Sequence, residues 1–298
     1  MPATQSLMTT RRGEFRALYR ALQRDRRAFE ATPVIFCEGD SWFSTPLAMN
    51  LLDWLVWPAP ADEARGVPLF GAGGLFFRTE DSGDLALDMF APRRIRDLAE
   101  WYEGFAFDLV LVSAGGNDFV DGFLQRLFRS LRPMSATAAF QRVLDSGRYG
   151  QVRAAYRGFV ERFRVIRPRT PILAHSYDYP LRMGQPAKLT LGNLGAAALL
   201  KQGAGPWIGN RVAHVLPDIA QQRRFAQLMT DGFVEHVLMP LRDDPASGRV
   251  FDFVDLRGTL RRESHWFDEM HPSGAGFALL ADRFRRQMQQ KLEVKLGG

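Results

Sequence analysis

Ser41 stands in the segment Gly39-Asp40-Ser41-Trp42, and far along the chain Asp268-Glu269-Met270-His271-Pro272 sets a carboxylate three residues before an imidazole. A serine hydroxyl is a poor nucleophile until a base takes its proton, and histidine, with a free pKa of about 6.5, suits that task. The imidazole in turn needs an acceptor that fixes its tautomer and stabilises its cation. Asp268 lies within one turn of chain of His271, so both side chains can face one site. Acyl transfer at such a serine also builds negative charge on an oxygen, which preorganised donors must meet. The Ser41 backbone N–H, an N–H of the Gly73-Gly74 pair and the side-chain amide of Asn117, in Gly115-Gly116-Asn117-Asp118, could supply three. Glycine helps because it has no side chain to block approach to its N–H.

These groups are useful only if the fold brings them to one place. Short apolar runs at residues 34–37, 67–70, 108–113, 171–175 and 250–255 alternate with helical patterning at 46–57, 92–103, 136–166, 217–242 and 273–295. That alternation predicts a parallel sheet of five strands covered by helices on both faces. Ligands of such sheets sit beyond the C-terminal strand ends. Ser41 follows the first run, Gly71-Ala72-Gly73-Gly74 the second, Asn117 the third, His175-Ser176-Tyr177-Asp178 the fourth, and Asp268 with His271 lies beyond the fifth. Residues 181–215, rich in Gly and Pro, read as a long excursion off the sheet, of the kind that forms lids and binding loops.

At 298 residues and 46% hydrophobic content the chain can bury a large core, and α/β domains of this length commonly stay undivided. Residues 1–32, with Phe15, Leu18, Tyr19, Leu22 and Phe29 at helical spacing, read as an N-terminal helical extension to one domain over 33–298. The net charge of +6 would suit nucleic acid or an anionic membrane if it were clustered. Only four of the 39 basic residues are Lys, and the Arg residues are interspersed with Glu and Asp, so solvated helix faces are expected and no nucleic-acid partner. The single cysteine, Cys37, excludes an internal disulfide and reads as a buried core thiol. No stretch approaches the roughly 18 apolar residues of a membrane span. Nor is there a basic stretch followed by an apolar run and a cleavage site, so a cytoplasmic protein is the default expectation, with export by a route needing no cleaved signal left open.

The blocks Gly39-Asp40-Ser41, a glycine after the second strand, Gly115-Gly116-Asn117-Asp118 and Asp268-x-x-His271-Pro272 come in an order that resembles the SGNH, or GDSL, hydrolase family over residues 34–280. The resemblance implies a flavodoxin-like three-layer α/β/α sandwich with five parallel strands in the order 2-1-3-4-5. It implies hydrolysis of a carboxylic ester through an acyl-enzyme, with Ser41 as nucleophile, His271 as base and Asp268 as its orienter. Ser41, Gly74 and Asn117 are then the oxyanion donors, and neither cofactor nor metal is implied. The substrate class stays open between a lipid or simple acyl ester and an O-acetylated carbohydrate, and a non-catalytic binding protein on the same fold is the further alternative. The second block departs from the family by having Gly73-Gly74-Leu75-Phe76 in place of its usual asparagine and Gly-Asp-Thr ending. Counting from the strand favours Gly74 over Gly73.

Blander readings stand beside these. Ser41 can be a turn residue capping the next helix, Asn117-Asp118 a plain turn, and His271 a helix-cap histidine. Asp40, Trp42, Gly73, His175 and Asp178 are candidates for the pocket, His175 being equally readable as a buried histidine bonded to backbone. His265, Asp268 and His271 stand at H-x-x-D-x-x-H spacing, which on one helical face could hold a metal, but the arrangement lacks the general-base glutamate of H-E-x-x-H and leaves Ser41 and Asn117 unexplained. No phosphate-binding or dinucleotide-binding glycine motif is present.

Overall fold

The computed structural model describes residues 7–9, 11–45, 49–56, 74–80, 82–185 and 205–296. Six parallel strands form one sheet: β1 (Leu7–Thr9), β2 (Val34–Gly39), β3 (Leu75–Arg78), β4 (Leu109–Ser113), β5 (Ile172–His175) and β6 (Phe251–Val254), in the order β1-β3-β2-β4-β5-β6. Counted from β2, the five inner and far strands run 2-1-3-4-5 as expected. β2, β4 and β5 are buried along their whole length, which is why they read as continuous apolar runs and not as alternations.

Successive side chains nevertheless divide between two cores. Val34, Phe36, Leu75, Phe77, Val110, Val112, Ile172 and Ala174 join a core with the helices Arg12–Gln23, Pro92–Gly104 and Arg148–Ile166. Ile35, Cys37, Phe76, Leu109, Leu111 and Leu173 join a second core with the helices Leu51–Val56 and Gly274–Leu296. The period of two along each strand thus builds the three layers. The N-terminal helix is held by Phe15, fully buried, whose ring lies 4.7 Å from that of Phe77 and 5.6 Å from that of Phe107.

Three expectations change. The second strand, expected at 67–70, falls on residues outside those described, and the structure places β3 at Leu75–Arg78, after the glycines instead of before them. The N-terminal extension is not wholly helical: Leu7–Thr9 pairs with Leu75–Phe77 as a parallel edge strand, a main-chain pairing that leaves no periodicity in three residues. The helical stretch expected over 136–166 divides into Ala136–Asp145 and Arg148–Ile166 at Gly147, whose φ of 72° lies in the left-handed region that glycine tolerates. The excursion is described at its two ends, 181–185 and 205–215, and its residues 186–204 lie outside the described set. No helix among the described residues is long and apolar enough to cross a membrane.

Candidate active site

β2 delivers the nucleophile candidate directly. Its last residue, Gly39, pairs with Ser113, and a Cβ at 39 would stand 2.9 Å from both Ser113 Cβ and Phe43 Cδ2, so the strand end has room only for glycine. Asp40 follows and caps the short helix Ser41–Ser44 by accepting from the Trp42 N–H at 3.0 Å. Asp40 also accepts from the hydroxyls of Ser113 (2.7 Å) and Tyr177 (2.5 Å). Burial raises its pKa, against these three hydrogen bonds and the charge of His271, which favour the carboxylate. The blander reading of Ser41 as the helix cap does not hold, since the cap is Asp40.

The histidine comes from a closed loop, not from a helix. Phe267 N–H donates to the His271 carbonyl (2.8 Å), Trp266 bridges to Pro272, and the helix begins only at Gly274. The H-x-x-D-x-x-H spacing therefore does not lie on one helical face, and no group of three His, Cys, Asp or Glu among the described residues is arranged to hold a metal ion. Asp268 is fully buried: Oδ1 accepts the N–H groups of Met270 and His271, both at 2.7 Å, and Oδ2 accepts from His271 Nδ1 at 2.9 Å. With Nδ1 the donor, Nε2 is the acceptor, and it lies 2.8 Å from Ser41 Oγ. Burial pulls the His271 pKa down, but the charge and hydrogen bond of Asp268, with the charge of Asp40, carry it above the ordinary 6.5. Ser41, His271 and Asp268, 230 residues apart at their extremes, thus form one hydrogen-bonded chain.

Asn117 opens a tight turn after β4, and its Nδ2 donates to the Asp84 carbonyl at 2.9 Å. Asp118 beside it accepts from the N–H groups of Ala86 (2.7 Å) and Leu87 (3.3 Å) and so fixes the segment after β3; burial raises its pKa to about 6. Gly74 is elsewhere. It immediately precedes Leu75, which pairs with Val34 at the start of β2, whereas Ser41 lies past the end of β2. Six residues of strand at about 3.3 Å each separate the two by about 20 Å, so Gly74 cannot donate to an oxygen held at Ser41. The segment after β3 reaches Asn117 instead through the Asp84 carbonyl, which follows Gly83 at φ 86°. Gly73 lies outside the described residues.

Of the other pocket candidates, Trp42 borders an apolar cleft of about 70 Å³, together with Gly116, Tyr177, Phe233, Trp266 and Met270. Trp42, Gly116 and Met270 are chain neighbours of Ser41, Asn117 and His271, so the cleft adjoins the hydrogen-bonded chain. Asp178 also borders it, but its carboxylate is engaged behind, by the N–H groups of Gly258 and Leu260, each at 2.6 Å. Asp40 lies under the site and does not border the cleft. His175 is a wall behind Trp42, the rings stacked at 5.3 Å. Its Nδ1–H donates to the Ser176 carbonyl (2.9 Å), and burial pushes its pKa down to about 4, leaving it neutral.

Two residues gave no warning in the sequence. Glu269, fully buried between Asp268 and His271, accepts from the N–H groups of Gly184 (2.6 Å), Ile208 (2.8 Å) and Gly209 (3.0 Å), pinning both ends of the 181–215 excursion to the histidine loop. The pinned segment carries Trp207, whose ring meets that of His271 edge-on at 5.3 Å. Tyr177 is the other, bridging Asp40 and the Gly116 N–H. A glutamate in a loop and a tyrosine after a strand have no characteristic spacing to their partners, which lie 60 to 137 residues away.

No protein-family model and no curated protein matches the chain. Among solved structures the chain is similar to the lipase Lip_vut3 from a goat rumen metagenome, at 15% identity over 86% of this chain and 97% of that one, with a TM-score of 0.52. A family 3 carbohydrate esterase from Clostridium thermocellum matches at 10% identity over 89% and 99%, with a TM-score of 0.49. An extracellular lipase from Streptomyces rimosus matches at 15% identity over 86% and 99%, with a TM-score of 0.45. By its strand order, its two helical layers and its likeness to the first of these, the chain has the three-layer α/β/α fold of the SGNH, or GDSL, hydrolases.

Proposed function

We propose that the protein is a serine-dependent carboxylic ester hydrolase. The observation that carries this reading is the buried chain Ser41 Oγ, His271 Nε2, His271 Nδ1, Asp268 Oδ2, with links of 2.8 and 2.9 Å. In the reaction, Ser41 Oγ attacks the ester carbonyl carbon as its proton passes to His271 Nε2, and Asp268 stabilises the imidazolium so formed. The imidazolium then protonates the leaving alkoxide, which departs as the alcohol and leaves an acyl group on Ser41. Water, deprotonated by His271, attacks that acyl group and releases the acid. The developing oxyanion is met by the Ser41 N–H and the Asn117 amide. Burial of the three side chains supports the reading further, since electrostatic stabilisation is stronger where water is excluded.

The cleft beside Ser41 is lined by Trp42, Phe119, Phe233 and Trp266, apolar surface that suits the acyl part of an ester. The substrate stays open between a lipid or simple acyl ester and an O-acetylated carbohydrate. Steady-state hydrolysis of aryl acetates, butyrates and octanoates, with acetate release from acetylated sugars, separates them. Ser41→Ala and His271→Ala are expected to lower turnover by at least about 1000-fold; retention of wild-type turnover by either variant contradicts the proposal.

A further inference from the structure

We infer that Tyr177 is a positioning residue that holds the nucleophile turn and the Asn117 turn in register through one hydroxyl group. The inference rests on the reading of Ser41 and Asn117 given above and adds a residue to it. The Tyr177 hydroxyl donates to Asp40 Oδ2 at 2.5 Å and accepts from the Gly116 backbone N–H at 2.9 Å. Asp40 immediately precedes Ser41, and Gly116 immediately precedes Asn117, so the phenol bridges the residues before the two groups that must meet the same carbonyl. The other half of the link is rigid already, because Asp40 Oδ1 is fixed by the Trp42 N–H and the Ser113 hydroxyl.

The turn that carries Asn117 is shaped to receive this phenol. Gly115 takes φ 110° with the Phe233 ring where a Cβ would be, and a Cβ at Gly116 would stand 2.8 Å from Tyr177 Cζ. Gly116 thus lets the backbone lie against the tyrosine ring and present its N–H to the phenol oxygen, while Gly115 makes room for Phe233. Without the hydroxyl, nothing else among these contacts ties residue 116 to residue 40. The last main-chain link between β2 and β4 is the Asp40 N–H to the Ser113 carbonyl at 2.7 Å, so beyond residues 40 and 113 the two turns depend on side chains for their separation. The ring itself is kept in place by Trp42 on one side, edge-on at 4.9 Å, and by Phe233 on another, at 5.6 Å. Phenylalanine can therefore keep the packing while losing the bridge. This assigns a purpose to the segment His175-Ser176-Tyr177-Asp178: His175 backs Trp42, Tyr177 aligns the two turns and Asp178 anchors the 258–260 turn.

The experiment compares Tyr177→Phe with Tyr149→Phe, which loses a buried hydroxyl bonded to the Met229 carbonyl at 2.8 Å. Each is assayed with p-nitrophenyl acetate and by phenylboronic acid inhibition, with melting temperature as the stability readout. Displacement of reacting groups by an ångström or less costs on the order of 10- to 100-fold in rate. Tyr177→Phe is expected to lose that factor in kcat, with KM within about twofold, and to bind the boronic acid more weakly by a similar factor, since the tetrahedral boronate needs both turns in register. Tyr149→Phe is expected to lose comparable stability and keep kcat. The inference is overturned if the Tyr177→Phe enzyme keeps kcat and boronate affinity, if both variants lose activity alike, or if Tyr177→Phe cannot be obtained folded while Tyr149→Phe can, because the hydroxyl would then be supporting the fold and not aligning the site. Failure of the underlying reading looks different: wild-type protein itself would hydrolyse the ester without dependence on Ser41.

Discussion

Replacing Asp268 by Asn tests how the proton is held. The carboxylate accepts three hydrogen bonds and donates none: two from backbone N–H groups at Oδ1, one from His271 Nδ1 at Oδ2. An amide has one oxygen. If it stays with the two backbone N–H groups, its NH2 faces His271 Nδ1, which must then become the acceptor and pass its proton to Nε2. The imidazole would present an N–H to Ser41 Oγ and could not remove the hydroxyl proton. Wrong-tautomer substitutions of this kind cost on the order of 10⁴ in kcat, or about 5.5 kcal/mol of transition-state stabilisation. The pH profile gives an independent sign. His271 must be neutral to act as base, and Asp268 is what lifts its pKa above 6.5, so wild-type activity is lost as pH falls through a value above 6.5. Without the carboxylate charge the burial of the ring dominates, and the residual activity of Asp268→Asn should extend to lower pH. The assay is kcat for an aryl acetate from about pH 5 to 9. A variant within tenfold of wild type, or one whose acid limb stays in place, would refute the reasoning.

Glu38, fully buried beside the site, is held up to about 8 by burial, against an ordinary 4.5. A raised carboxyl contributes stability that is present below the unfolded pKa and is lost as pH rises to the folded one, so Glu38→Gln should gain on wild type between 4.5 and about 8. At about 1.36 kcal/mol per unit the gain has a ceiling of about 5 kcal/mol; a melting-temperature difference that is flat across that range contradicts it. Glu269→Ala leaves the N–H groups of Gly184, Ile208 and Gly209 without their acceptor, the last two of them buried, which should cost about 2 kcal/mol or more in urea unfolding and lower kcat as Trp207 moves from His271. A loss below about 1 kcal/mol would show that the excursion is not pinned there.

Sequence reasoning reached Ser41, Asp268, His271 and Asn117 because each belongs to a short segment at a strand end, and parallel strands carry such ends to one side of a sheet. The same logic placed Gly74 wrongly for one reason, the assignment of the second strand to 67–70. Once β3 follows the glycines, the same residue lies at the far end of the sheet. Register errors of this sort exchange the two ends of a strand. What could not be read were contacts between loops. Nothing in the spacing of Tyr177 or Glu269 announces Asp40, Gly116 or Gly209, because these pairs depend on how turns stack above the sheet and not on periodicity along it. His175 was readable in both senses, and the structure selects the backbone-bonded, neutral one.

The central claim is that Ser41 is the nucleophile, and its most direct measurement is mass spectrometry of the protein after reaction with a fluorophosphonate. One phosphonyl adduct on Ser41, with loss of esterase activity in proportion, and no adduct in Ser41→Ala, is the predicted result. Protein that hydrolyses aryl esters while Ser41 remains unmodified, or that carries its adduct on another residue, would contradict the account.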